Sequence, residues 1–196
     1  MYLIAPLVII GAYLLGSVSS AIVVCKYLGL PDPRGFGSGN PGATNVLRMA
    51  GKRAAMITLG GDVLKGFLPV MLARLVSGEE WLLASTALAA FLGHVYPVFF
   101  QFRGGKGVAT GFGAIIAISW TVGGLMLLSW ITIAILTRIS SLAAIITSVL
   151  TPIYIALIYP AHTHWLLLIS IVIANIRLWR HRSNIRNILA GHEKKM

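Results

Sequence analysis

From Val108 to Leu136 the sequence carries no charged residue, and the way that stretch sits in a membrane decides which side every later segment occupies. It exceeds the roughly 20 residues a bilayer crossing requires. Comparable apolar runs extend over Leu3–Val24, Ala54–Val76, Trp81–Phe102, Leu142–Tyr159 and His164–Ile176. Composition agrees: 57% of residues are hydrophobic and 11% charged, against about 25% charged in soluble domains. The expected fold class is an all-α integral membrane protein, a compact bundle forming a single domain over residues 1–196.

Charge sets the orientation. Met1 to Ser20 has no basic residue ahead of its apolar run, so no cleavable signal is expected. Lys26 is the first cation, which places that end of the first span in the cytoplasm and the N-terminus outside. Lys26 to Arg53 is then cytoplasmic, with Asp32 its only acid, and the acidic link at Glu79 and Glu80 lies outside. Arg74 is the exception to this pattern. If Val108–Leu136 crossed once, the tail with Arg177, Arg180, Arg182, Arg186, Lys194 and Lys195 would lie outside, against the positive-inside rule. A hairpin turning near Trp120–Gly124 returns the tail to the cytoplasm. Each arm would have about 13 residues, or roughly 20 Å, so full crossings and a re-entrant hairpin both stay open. The expected count is about seven membrane segments, with an outer link around His162 and His164.

This topology puts four polar stretches on the cytoplasmic side: Ser38–Arg48, Arg103–Thr110, Arg138–Ser141 and His181–Glu193. The first belongs to Gly37–Arg48, GSGNPGATNVLR. Gly37, Gly39 and Gly42 can adopt positive φ, and successive N–H groups in such a turn make an anion-binding concavity. Ser38, Asn40, Thr44 and Asn45 add neutral donors, and Arg48 adds a planar fork suited to phosphate. The glycines also fit the dinucleotide pattern G-x-G-x-x-G, with Asp62 roughly 20 residues on. That motif needs a strand before it and a βαβ unit around it, whereas both flanks here are membrane-type runs. A plain Gly-rich turn between helices is the remaining alternative.

Arg103-Gly104-Gly105-Lys106-Gly107 joins two cations to three glycines ahead of a helix-like segment, an arrangement in which backbone N–H groups and Lys share a phosphate. It departs from the Walker A loop, which requires glycine where Phe100 stands and Ser or Thr at Gly107. In the tail, His181 and Asn184 stand three apart, on one face if the last span continues as a helix. Arg186, Lys194 and Lys195 read as a basic tail on anionic lipid.

Asp62 and Lys65 also stand three apart within the second span. Each would be costly alone at mid-membrane, so they are expected to neutralise one another as a structural pair. His94, near a kink expected at Pro97, fits either site lining or packing and stays outside the catalytic set.

The net charge of +11, from 16 basic and 5 acidic residues, suits anionic substrates or lipid. The cations are scattered over short loops, which argues against nucleic acid. Cys25, the sole cysteine, excludes an internal disulfide and a Cys-based metal site; it reads as an apolar helix-end residue. There is no H-E-x-x-H, no G-x-S-x-G and no H-x-x-x-x-D pair, so neither metal nor covalent catalysis has support.

With these residues assembled, the chain resembles the PlsY family of bacterial membrane acyltransferases, which move a fatty acyl group from acyl phosphate to glycerol 3-phosphate. The resemblance spans nearly the whole sequence. It rests on GSGNPGATNVLR, on GHVYPVFFQFRGGKGVAT at Gly93–Thr110, on Arg138–Leu142 and on HRSNIRNILAGHE at His181–Glu193. It implies that Ser38 and Arg48 are essential, that Gly104, Gly105 and Gly107 bind acyl phosphate, and that His181 and Asn184 are critical. It further implies that Lys106 and Ser141 line the phosphate site and that Glu193 is mainly structural. Ser140 competes with Ser141, which is favoured by its spacing to Leu142. No cofactor is implied. The implied partners are glycerol 3-phosphate, acyl phosphate, the bilayer of the bacterial inner membrane and an upstream enzyme that makes acyl phosphate.

Two rivals remain. An organic-phosphate transporter would also use cationic, Gly-rich elements, but usually with repeated halves and groups near the midplane. A thioester-dependent acyltransferase is disfavoured by the missing H-x-x-x-x-D pair.

Overall fold

The structure, a computed structural model, describes residues 4–159 and 164–195. Among these residues the regular structure is entirely helical. Two compact units meet the chain's divide between Ile118 and Ser119. The first contains α1 (Ile4–Gly16), α2 (Ser20–Tyr27), α3 (Ala43–Val76), α4 (Glu80–Val95) and α5 (Val108–Ile118). The second contains α6 (Trp120–Thr137), α7 (Ser140–Ile158), α8 (His164–Arg180) and α9 (Arg182–Leu189). The start of the expected first span at Leu3 and the outer-link His162 lie outside the described residues.

Four segments are long and apolar enough to cross a membrane, Ala43–Val76, Glu80–Phe100, Trp120–Thr137 and Ser140–Ile158, and α1 with α2 makes a fifth if counted as one span. The all-helical architecture expected from the apolar runs is therefore present. With 11 residues, α5 reaches only about 16 Å, roughly half of a bilayer's hydrocarbon core.

Several expected boundaries are corrected. The first span is not continuous, because α1 and α2 meet at a 44° bend. Ser19 restarts the helix there, its hydroxyl accepting from the Ile22 N–H. A helical stretch from Ala43 leads into the second span, and the backbone breaks at Gly51, just ahead of the expected start near Ala54. Gly51, with φ 79° and ψ −175°, leaves helical geometry and kinks α3 at that point. The third helix stops at Val95, since the residue before a proline avoids helical angles. Pro97 is followed by a single 3₁₀ turn at Val98–Phe100. The long apolar stretch breaks at Ser119 (φ −149°, ψ 113°); Trp120–Gly124, the expected turn, are already helical.

Small residues bring the first unit's helices together. A Cβ on Gly16 would strike the Ala90 carbonyl, and one on Gly93 would strike the Tyr13 carbonyl, which locks α1 against α4. Gly66 and Gly113 play the same part between α3 and α5, against the Thr110 and Val63 carbonyls. Close backbone approach of this kind drives helix association where lipid removes the hydrophobic gain. Arg74, the exception to the charge pattern, caps α5: its guanidinium donates to Ala117 O at 3.0 Å and Ile118 O at 2.6 Å. These are C-terminal carbonyls left without helical partners.

In the second unit α7 packs on both α6 and α8. Hydroxyl pairs stitch α6 to α7, Ser129 with Tyr154 at 2.6 Å, while Ser119 at the head of α6 reaches Tyr159 at 2.9 Å.

Candidate active site

The first polar loop is built around a side chain that does not face solvent. Asn45 is 1% exposed. Its Nδ2 donates to Pro33 O at 2.9 Å and Phe36 O at 3.0 Å, while its Oδ1 accepts the Ser38 N–H at 3.0 Å. Asn45 was expected to offer a donor to a ligand; both ends of its amide are instead committed to the loop. Gly37 (φ 60°) explains its own presence here, because a Cβ would collide with Asn45 Oδ1. Gly39, at φ 68°, supplies a second left-handed turn.

The second half of this stretch is helix, not loop, which corrects the reading of Thr44, Asn45 and Arg48. Gly42 caps α3 in extended conformation with no side-chain bond. The Ala43 and Thr44 N–H groups occupy the first turn, where no helical carbonyl precedes them. Ser38 and Arg48 are both exposed, Asn40 and Gly42 half-buried. The result is a turn of small residues, a helix N-terminus with its positive dipole end, and a guanidinium one turn further on.

A clamp that sequence reasoning missed fastens this loop. Asp32 accepts from the Arg34 N–H at 2.9 Å and pairs with its guanidinium at 2.7 Å. Arg34 Nη1 reaches across to Phe100 O at 3.0 Å. Hydrogen bonds from the Arg34 side chain hold the Asp32 carboxyl below its usual range, and Asp32 in turn raises Arg34. The available signal was two opposite charges flanking Pro33, read only as loop polarity.

The second polar loop lies on α4. Gly104, Gly105 and Gly107 are buried and Lys106 half-buried. The Gly105 N–H donates to His94 O at 3.1 Å. A Cβ on Gly104 would meet that same carbonyl, one on Gly105 the His94 ring, and one on Gly107 (φ 74°) the Phe91 ring. Packing alone therefore demands glycine at all three positions. The loop ends where α5 begins, at Val108, so Lys106 and Gly107 stand at a helix N-terminus.

Beneath it sits a buried ionic cluster. Lys65 lies 2.8 Å from Asp62, and His94 Nδ1 lies 3.6 Å from the same carboxylate oxygen. The ammonium also donates to Val18 O at 2.7 Å, a carbonyl released by the break between α1 and α2. The expected Asp62–Lys65 neutralisation is thus present, and His94 joins it.

In the second unit, Glu193 Oε1 accepts from Ser141 Oγ at 2.7 Å and from Asn184 Nδ2 at 2.6 Å. One carboxylate ties the first turn of α7 to α9 and to the chain beyond it. Ser141, and not Ser140, makes this contact. His181 is buried and ends α8, so the last span breaks there before α9 resumes. Its Nδ1 lies 2.8 Å from Arg177 O. A carbonyl only accepts, so Nδ1 carries the proton and Nε2 is the basic nitrogen of the neutral ring. Among the described residues, no three His, Cys, Asp or Glu side chains cluster closely enough to hold a metal ion.

Comparison with known proteins adds to this geometry. The family model described as Glycerol-3-phosphate acyltransferase matches residues 6–191. A relative of that name from Thioalkalivibrio sulfidiphilus is 52% identical over 99% of this chain and 95% of its own length. Another, from Methylococcus capsulatus, is 50% identical over 94% of this chain and 92% of its own. Among solved structures, PlsY (YgiH), described as an integral membrane glycerol 3-phosphate acyltransferase in its glycerol 3-phosphate form, is 40% identical. It superposes with a TM-score of 0.93 over 98% of this chain and 95% of that one. The lysophosphatidic acid form of PlsY gives a TM-score of 0.91 at 39% identity.

Proposed function

This chain belongs to the glycerol-3-phosphate acyltransferase family, and on that premise we propose that it transfers a fatty acyl group from acyl phosphate to the C1 hydroxyl of glycerol 3-phosphate. The products are lysophosphatidic acid and inorganic phosphate. The observation that carries the reading is the near full-length likeness to the glycerol 3-phosphate form of PlsY, at 40% identity.

The disposition of acids supports it. Two phosphate-bearing substrates must be held together, so a carboxylate pointing at them would repel both. Asp32 is engaged by Arg34, Asp62 by Lys65, and Glu193 by Ser141 and Asn184. With those three acids so engaged, none adds an unpaired negative charge beside the bound phosphates. In this reading Ser38 and Arg48, with Gly39, Asn40, Gly42 and Thr44 around them, hold glycerol 3-phosphate. Gly104, Gly105, Gly107 and Lys106 hold the acyl phosphate, and Ser141, His181 and Asn184 serve the same reaction. Gly37 and Asn45 shape the first loop.

The hydroxyl attacks a mixed-anhydride carbonyl whose leaving group is phosphate, already a stable anion. Orientation and fixed positive charge therefore supply most of the acceleration. The hydroxyl proton passes to the donor's phosphate, whose second pKa is about 6. Nε2 of His181 is the competing base. The acyl chain stays in the bilayer while glycerol 3-phosphate arrives from the cytosol at the inner membrane, and an upstream enzyme supplies the acyl phosphate.

The test is phosphate release by purified protein from palmitoyl phosphate, with and without glycerol 3-phosphate, in wild type and Arg48→Ala. The expected result is release that depends on glycerol 3-phosphate and is lost in the variant, with no product from acyl-CoA. Product from acyl-CoA would overturn the donor. A pH profile of His181→Gln unchanged from wild type would exclude His181 as base.

A further inference from the structure

His94 stands between two things the reaction does not obviously connect. On its Nδ1 edge is the Asp62 carboxylate, 3.6 Å away, itself ion-paired to Lys65. On its Nε2 edge is Gly105, so close that a Cβ there would land on the ring nitrogen. The residue's own carbonyl accepts the Gly105 N–H at 3.1 Å, and Gly104 lies flat against it. All three ionisable side chains are at most 7% exposed. Charged groups are retained inside membrane segments chiefly where they serve a function or brace one.

We propose that Asp62 and His94 form a positioning pair that fixes the Arg103–Gly107 loop by setting the ring on which Gly105 rests. The carboxylate, 3.6 Å from Nδ1, biases the ring by its charge. The opposite edge then sets how deeply Gly105 can sink, and with it where the N–H groups of residues 104–107 and the Lys106 backbone stand. Lys65 balances the carboxylate and anchors the assembly to the broken first span through Val18. Neither Asp62 nor His94 needs to touch substrate. The inference rests on the reading above that this loop holds acyl phosphate.

A double-mutant cycle on detergent-purified full-length protein tests it, with palmitoyl phosphate and glycerol 3-phosphate as substrates. His94→Asn keeps a polar amide near the Nδ1 position and removes the edge under Gly105; Gly105→Ala adds the colliding methyl. Gly105→Ala should cut kcat/KM for palmitoyl phosphate about 100-fold in wild type, yet less than about tenfold in His94→Asn, because the obstruction is gone. His94→Phe keeps the edge and loses the carboxylate partner. It should raise the KM for palmitoyl phosphate about tenfold while the KM for glycerol 3-phosphate changes less than about twofold. An equal Gly105→Ala penalty in both backgrounds overturns the positioning role, as do parallel changes in both KM values. If His94→Phe does not yield folded protein, the cycle decides alone. Wild type inert toward palmitoyl phosphate would sink the donor reading and this inference with it, whereas active wild type without coupling sinks only the inference.

Discussion

The side-chain oxygen of Asn45 accepts the backbone N–H of Ser38 at 3.0 Å, so an interior residue of α3 dictates the conformation of a turn seven positions earlier. Its amide hydrogens are spent on Pro33 O and Phe36 O. Asn45→Ala removes three hydrogen bonds at roughly 1 kcal/mol each, and Asn45→Asp keeps only the acceptor, which it turns into an anion. Both variants should lower the melting temperature and cut acylation at least about tenfold. Thr44→Ala, on the exposed neighbour, should leave the melting temperature within error. Thermal unfolding in micelles beside a phosphate-release assay checks the contrast.

The Asp32–Arg34 clamp makes a statement about pH. Arg34 hydrogen bonds depress the Asp32 carboxyl below its ordinary 3.8. The stability this lends is therefore complete above the unfolded value and is lost as pH falls through the folded one. Asp32 is 42% exposed, so solvent screening keeps the effect under about 1 kcal/mol. Asp32→Asn should melt slightly below wild type at pH 7, and the two curves should draw together as pH falls below the unfolded value and meet below the folded one. A gap that persists there, or an activity inflection between pH 5 and 8 that Asp32→Asn removes, contradicts this account.

Glu193 holds Ser141 and Asn184 on one oxygen, and hydrogen bonds to a charged group are worth about 1.5–3 kcal/mol each. Glu193→Gln can still accept from both; Glu193→Ala frees them. The expected order of kcat/KM is wild type, then Glu193→Gln within about threefold, then Glu193→Ala lower by at least about tenfold. Equal losses in the two variants would mean that the charge itself, and not the bridging geometry, is what the tail contributes.

Much of this was legible in the residues, and the failures share a cause. Apolar runs and charge bias located the helices, and glycine with cations located both loops. Boundaries failed where a backbone break is repaired by a distant group. Gly16-Ser17-Val18-Ser19 carries break and cap residues, but nothing local shows that the Val18 carbonyl takes its donor, Lys65, from another helix. In the sequence Gly104, Gly105 and Gly107 point to a ligand cradle, while the rings and carbonyl that also require them belong to Phe91 and His94. A one-dimensional pattern registers which groups are present; it does not register which of them are already spoken for.

The Lys65 ammonium serves two partners, Asp62 and Val18 O, and that fixes how the cluster should fail. Lys65→Met leaves a carboxylate buried without its cation and a broken-helix carbonyl without its donor. Stranding one member of a buried pair costs about 3–5 kcal/mol. Asp62→Asn strands the ammonium on one side only, since Val18 O still receives its bond. Lys65→Met should therefore be the more damaging single change. The double variant Asp62→Asn/Lys65→Met removes both charges and should recover part of the loss, but not all, because Val18 O stays unsatisfied. Melting temperatures of the four proteins in one detergent give the answer: a double variant no better than Lys65→Met would mean that the carbonyl, and not the ion pair, is what Lys65 is there to satisfy.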